Sequence, residues 1–193
     1  MYKVLLVDDE ALIREAISEN TRWKELGYEL MGTCKNGREA MERLDQEEAD
    51  LVLTDICMPY MDGMELTRYL YEHHRGVKVI IISGYDDFEY AKTAVKYQVM
   101  DYILKPITAR ELAQTLTRVK EKLDEERFQK SDMKRIRGAY MSNLPILRGR
   151  FLNSLLMGNV GEQEIQEKLN DYQIKLDGKY FMTALVYRNR SSR

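Results

Sequence analysis

Five short apolar runs dominate the first 125 residues of this chain, and they constrain what it can fold into. They occupy residues 4–7, 28–33, 49–54, 77–82 and 99–104, and a polar or charged residue stands at or just after the end of each. After each run, apolar residues recur at helical spacing: Leu12, Ile13, Ala16 and Ile17; Ala40, Met41 and Leu44; Met64, Leu66, Leu70 and Tyr71; Phe88, Ala91, Ala94 and Val95; Leu112, Leu116, Val119 and Leu123. Runs this short, without alternation, suit strands buried on both faces, and the recurrences suit amphipathic helices. Pro59 and Pro106 cannot continue a ladder and mark where the third and fifth runs have given way to loops. Thr108 and Glu111 have the spacing of a capping box at the start of the last helix.

Strictly alternating strands and helices joined by short loops predict an α/β fold, with a parallel sheet covered on both faces. Right-handed crossovers narrow this to a doubly wound five-stranded sheet of the flavodoxin type. In such a sheet the strand ends gather at one edge, where ligands bind. Here that edge collects Asp8, Asp9, Asp55, Ser83 and Lys105. Taken alone, Asp55 reads first as a carboxylate that ends a strand. Three carboxylates brought together repel one another unless a cation lies among them. Oxygen-only donors of this kind suit Mg²⁺, which takes one or two carboxylates, waters and phosphate oxygens. With Lys105 and Ser83 beside them, these groups can stabilise a transferring phosphoryl group, and Asp55 becomes a plausible nucleophile.

The motifs Val7-Asp8-Asp9-Glu10, Thr54-Asp55-Ile56-Cys57-Met58-Pro59 with Asp62-Gly63, Ile82-Ser83-Gly84 and Tyr102-Ile103-Leu104-Lys105-Pro106 stand in order on the expected elements. Residues 1–124 thereby resemble the receiver domains of two-component response regulators. The resemblance implies that Asp55 accepts a phosphoryl group from the phosphohistidine of a sensor histidine kinase. It implies that Asp9 and Asp55 ligate Mg²⁺ directly, with the Cys57 backbone carbonyl as a third ligand and Asp8 acting through water. Ser83 would hydrogen-bond the phosphoryl group, Lys105 would pair with it, and Tyr102 would turn inward as Ser83 moves. Cys57 and Tyr85 match the positions that line the path of attacking water; neither is acidic and Tyr85 is bulky, so a slowly decaying phosphoryl group is expected. This is no conventional enzyme, but Mg²⁺-dependent self-phosphorylation and slow autodephosphorylation follow from the resemblance. Two other uses of an α/β sheet fit less well. Flavin-binding relatives cradle phosphate after the first strand, where Asp8, Asp9 and Glu10 would repel it. Haloacid-dehalogenase-like phosphatases need a second Asp where Cys57 stands.

A formal net charge of −2 over 193 residues gives no sign of a nucleic-acid-binding surface in the residues present. No signal peptide and no run of ~20 apolar residues is visible, so a cytoplasmic location without membrane contact is expected. Cys34 and Cys57 lack metal-ligand spacing and are read as reduced thiols. His73 and His74 are read as solvated.

Beyond the last strand, residues 125–148 read as a helical linker. The apolar grid of the preceding helix continues only through Met133 and Tyr140, which leaves open an imperfect coiled coil or a single solvated helix. Gly138 and Pro145 predict that this helix ends or bends before about residue 145. Residues 149–193 read as an incomplete second domain, the start of a small α+β region. It comprises an apolar helical patch from Phe151 to Met157, a helix over 162–171 and a strand over 180–187. The Phe88-Glu89-Tyr90-Ala91 segment and the linker resemble response regulators with an AraC-type helix-turn-helix output. That implies DNA binding by a longer parent protein; the competing reading is output through protein–protein contacts. Homodimerisation through the fourth helix, fifth strand and fifth helix is a further expectation.

Overall fold

The computed structural model describes residues 1–84 and 95–176. In chain order the elements are β1 (Tyr2–Val7), α1 (Ala11–Asn20), β2 (Tyr28–Cys34), α2 (Gly37–Leu44), β3 (Leu51–Asp55), α3 (Gly63–His73), β4 (Lys78–Ser83), β5 (Asp101–Leu104), α4 (Ala109–Leu156) and α5 (Glu162–Asp171). The five strands form one parallel sheet in the order β2-β1-β3-β4-β5. The doubly wound α/β fold expected from the alternation of runs is therefore present. The predicted fourth helix falls largely on residues 85–94, and the predicted strand over 180–187 on the C-terminal stretch. Both lie outside the described residues.

Successive side chains of a strand point to opposite faces, and here they feed two apolar cores. Leu6, Leu53, Ile80 and Ile82 pack with Ile17 of α1 and with Leu112, Leu116 and Val119 of α4. Leu5, Val52 and Ile81 pack on the other face with Ala40 and Leu44 of α2 and with Leu66 and Leu70 of α3. Every residue of β3 is buried, which is why its sequence runs without alternation. Full burial of one such Leu or Ile stabilises by about 1.5–3 kcal/mol. Polar groups taken into these cores keep partners: the Tyr28 hydroxyl donates to the Leu116 carbonyl at 2.8 Å.

The helix starts are set locally. Asn36 Oδ1 accepts from the Glu39 amide at 2.9 Å at the start of α2. Asp62 and Glu65 form a reciprocal capping box at the start of α3. Thr108 Oγ1 accepts from the Glu111 amide at 3.1 Å at the start of α4.

The chain divides into two compact units, Met1–Arg127 and Phe128–Arg193. In the second, Leu144 and Phe151 of α4 are buried, the Phe151 ring meets Tyr172 edge-on at 5.7 Å, and Tyr140 donates to the Asp171 carbonyl at 2.6 Å. Here the sequence expectation needs correcting. Neither Gly138 nor Pro145 ends the helix; α4 continues through both to Leu156. An interior proline costs ~3 kcal/mol because one carbonyl loses its donor and the ring crowds the preceding turn. Burying Leu144 and Phe151 on either side of Pro145 offsets much of that. The stop falls instead at Gly158, whose φ of 70° lies in the left-handed region that glycine tolerates.

Candidate functional site: an acidic cluster at the sheet edge

The C-terminal ends of the parallel strands deliver the chemistry. Asp8 directly follows β1, Asp55 closes β3, Ser83 closes β4, and Lys105 directly follows β5. Carboxylate oxygens of Asp8, Asp9 and Asp55 all lie within 4.8 Å of one another. Asp8 and Asp55 are buried and Asp9 is exposed, so the cluster has a dry floor and one wet wall.

Lys105 crosses this cluster. Its Nζ donates to Asp8 Oδ2 at 3.0 Å and to Asp55 Oδ2 at 2.9 Å, and lies 3.5 Å from Glu10 Oε1. Backbone amides hold the remaining carboxylate oxygens: Glu10 N–H donates to Asp8 Oδ1 at 2.9 Å, and Ile56 N–H donates to Asp55 Oδ1 at 2.7 Å. The Lys105 amide donates to the Ser83 carbonyl at 2.7 Å, joining the ends of β4 and β5. Burial pushes the Asp8 carboxyl up, and the bonds from Lys105 and the Glu10 amide only partly offset this. Burial alone would lower Lys105, but its bonds to Asp55 and Asp8 outweigh it and hold the ammonium well above the ordinary lysine range. Lys105 is therefore charged throughout the physiological range.

The loop after β3 is drawn tightly onto Asp55. A side chain at Gly63 would place its Cβ 1.9 Å from the Asp55 carbonyl oxygen, so only glycine fits there. The Gly63 amide donates to the Ile56 carbonyl at 2.9 Å, and Thr54 Oγ1 donates to the Asp55 carbonyl at 2.9 Å.

The other expected site residues are placed as follows. Ser83 is fully buried. Tyr102 is half-buried, paired in register with Ile81, and packed against the core on the α2–α3 side of the sheet. Cys57 is exposed on the loop, its thiol pushed up by burial and then by the charges of Asp55, Asp62 and Asp9. Tyr85 lies outside the described residues. Glu10 and Gly63 had been named only as motif residues, without the roles they take here, Glu10 near Lys105 and Gly63 against Asp55. Arg14 of α1, which donates to the Asp8 carbonyl at 2.6 Å, was not singled out in the sequence. The Asp-Gly pair was a visible signal for Gly63, whereas nothing in the local sequence marks Arg14.

A parallel doubly wound sheet with acidic residues at the ends of β1 and β3, a hydroxyl at the end of β4 and a lysine after β5 is the arrangement of a phosphoryl-responsive signalling domain. The model of the response regulator receiver domain family matches residues 4–117, and the chain belongs to that family. It is the receiver domain of a two-component response regulator, with further residues after it. It is 40% identical over 119 residues to the uncharacterized transcriptional regulatory protein YesN of Bacillus subtilis, a match covering 62% of this chain and 32% of that protein. It is 38% identical over 129 residues to the transcriptional regulatory protein HptR of Staphylococcus aureus, covering 67% of this chain and 50% of that protein. The chain thus spans half or less of the length of these curated relatives. Among solved structures, the REC domain of AraT, a response regulator from Geobacillus stearothermophilus, shares 41% identity with a TM-score of 0.62, covering 65% of this chain and 98% of that one.

Receiver domains bind Mg²⁺ at an acidic pocket, and the donor set here fits one. One oxygen from each of the Asp8, Asp9 and Asp55 carboxylates lies within 4.8 Å of the others, and oxygen donors of this kind are what Mg²⁺ takes. Against the single ammonium of Lys105 they leave formal negative charge that a divalent cation neutralises. Among the described residues, no helix is long and apolar enough to cross a membrane.

Proposed function

We propose that Asp55 is the phosphoryl acceptor of a cytoplasmic two-component switch, charged by the phosphohistidine of a sensor histidine kinase. An Asp55 carboxylate oxygen attacks phosphorus. The new O–P bond forms as the P–N bond to the donor imidazole breaks, and the bonding pair leaves on that nitrogen. An ionised carboxylate needs no general base, so the remaining residues position and neutralise. Asp9, Asp55 and the Cys57 carbonyl would hold Mg²⁺, with Asp8 acting through water, and the bound ion would supply charge neutralisation and orientation of the phosphoryl oxygens. Lys105 pairs with the phosphoryl group once it is on Asp55, and Ser83 hydrogen-bonds it. Movement of Ser83 draws Tyr102 inward and repacks the surface around β5, a shift between two states biased by the new group. Self-association through that surface, read by light scattering with and without a phosphoryl mimic, accompanies the shift. YesN and HptR, to which this chain is similar, are named as transcriptional regulatory proteins, and a longer parent protein would pass the switch on to transcription.

The observation that carries this reading is Lys105 Nζ within 3.0 Å of both Asp8 and Asp55, a cation built in where phosphoryl charge must be met. Incubation with acetyl phosphate and Mg²⁺, followed by intact-mass measurement, tests it. One phosphoryl adduct is expected on the wild type and none on Asp55→Asn. No adduct on the wild type, or one surviving the substitution, overturns it. Cys57 and Tyr85, neither acidic, leave the attacking water without a base, so the adduct decays slowly. Tyr85→Ala should speed the decay, and an unchanged rate removes the steric part of this reading.

A further inference from the structure

Asp8 is held on every side. Its amide donates to the Cys34 carbonyl at 3.2 Å at the end of β2, and its carboxylate oxygens accept from the Glu10 amide and from Lys105. Its carbonyl is taken by Arg14, one turn into α1, whose Nη1 donates to it at 2.6 Å. Asp9 differs. It is exposed, and among the described residues its carboxylate has no hydrogen-bond partner. Where its oxygens lie therefore depends on how its backbone is held. The Asp8 carbonyl and the Asp9 amide belong to one planar peptide unit, so the bond from Arg14 also fixes the point from which the Asp9 side chain departs. The start of α1 has no ordinary fastening. Glu10 is its N-cap residue but makes no side-chain capping bond, and the first turn has no acidic residue. Glu10 Oε1 stands 3.5 Å from Lys105 Nζ instead. Arg14 ties the loop down from within the helix.

We infer that Arg14 is a positioning residue for Mg²⁺: its hold on the Asp8 carbonyl aims Asp9 into the acidic cluster and so sets how tightly the ion is bound. Mg²⁺ demands a near-ideal octahedron, so a ligand free to swing costs affinity. Groups that orient a metal's ligands without touching the metal are typically worth about ten- to a hundred-fold in binding. The sign of the effect separates geometry from charge. As a cation beside the site, Arg14 would repel Mg²⁺, and removing it would tighten binding. As a positioning residue it favours the ion, and removing it weakens binding. The inference rests on the reading of Asp9 as a direct Mg²⁺ ligand, and the test tells the two apart.

Mg²⁺ binding is measured by calorimetry on the full 193-residue chain, for the wild type, Arg14→Met, Arg14→Gln and Asp9→Asn. Met keeps most of the apolar stem, and Gln keeps a polar head too short to reach. Both Arg14 variants should bind Mg²⁺ about ten-fold more weakly or worse, and the rise in Tm on adding Mg²⁺ should shrink with it. In phosphorylation from acetyl phosphate, the half-saturating Mg²⁺ concentration should rise by the same factor, while excess Mg²⁺ restores the wild-type rate. A merely structural role would lower that plateau and leave the half-saturation point in place. Unchanged or tighter Mg²⁺ binding in the Arg14 variants overturns the inference, as does a lowered Tm in chelator without loss of Mg²⁺ affinity. No binding by the wild type, or full binding by Asp9→Asn, overturns the reading of Asp9 and this inference with it. Weakened binding by Asp9→Asn beside wild-type binding by the Arg14 variants overturns this inference alone.

Discussion

Lys105 Nζ lies 2.9 Å from Asp55 Oδ2, joining residues 50 positions apart in the chain, and Asp8 Oδ2 completes the bridge at 3.0 Å. Removing the ammonium leaves two buried carboxylates facing each other, and breaking a buried pair in this way costs about 3–5 kcal/mol. Lys105→Met should therefore destabilise the protein in chelator, by urea denaturation. Millimolar Mg²⁺ should recover more stability for the variant than for the wild type, because it replaces the missing cation. Equal Mg²⁺ effects on the two proteins would contradict this.

Gly63→Ala brings a methyl group to within 1.9 Å of the Asp55 carbonyl oxygen, a backbone atom with little room to move. Overpacking of this kind costs about 1–3 kcal/mol or more. The expected outcome is a lowered Tm together with slower phosphorylation from acetyl phosphate, because the strain falls on Asp55 itself. A Tm within one degree of wild type, an order-of-magnitude tolerance given that ~1 kcal/mol moves a domain of this size by several degrees, would show that the loop yields freely.

Burial pushes the Cys34 thiol up to about 11, against ~8.5 for an unfolded cysteine. Below about pH 8.5 the thiol is protonated in both states and adds no pH dependence. Between there and about pH 11 only the unfolded thiol ionises, so stability falls as pH rises, by at most ~1.4 kcal/mol per unit. Denaturation of wild type and Cys34→Ala across pH 8–10.5 should diverge in slope. Thiol labelling at neutral pH should modify exposed Cys57 in the folded protein and reach Cys34 only on unfolding.

Pro145 lies inside α4, where it cannot donate to the Met141 carbonyl. Pro145→Ala should restore that bond and stabilise the second unit by about 1–3 kcal/mol, read by hydrogen exchange of amides between residues 141 and 156. Unchanged protection would mean that the carbonyl is already satisfied.

Much of this molecule was legible in its sequence. The strands announced themselves because a doubly covered strand must be apolar throughout, as residues 51–54 are. Asp8, Asp55, Ser83 and Lys105 were assignable to one edge because parallel strands bring all their C-terminal ends to the same side. The helix does not stop at Pro145, as local propensity had suggested it could, and Leu144 and Phe151 are buried on either side of it, which no local pattern shows.

The sequence by itself determined the fold class, the strand ends and the residue types gathered there, since periodicity and strand termination are local properties of the chain. Tertiary structure alone decided that Lys105 bridges Asp8 and Asp55, that Arg14 holds the Asp8 carbonyl, and that Gly63 must stay bare beside Asp55. Those are distances between segments far apart in the chain, and packing of the two cores on either side of the sheet sets them.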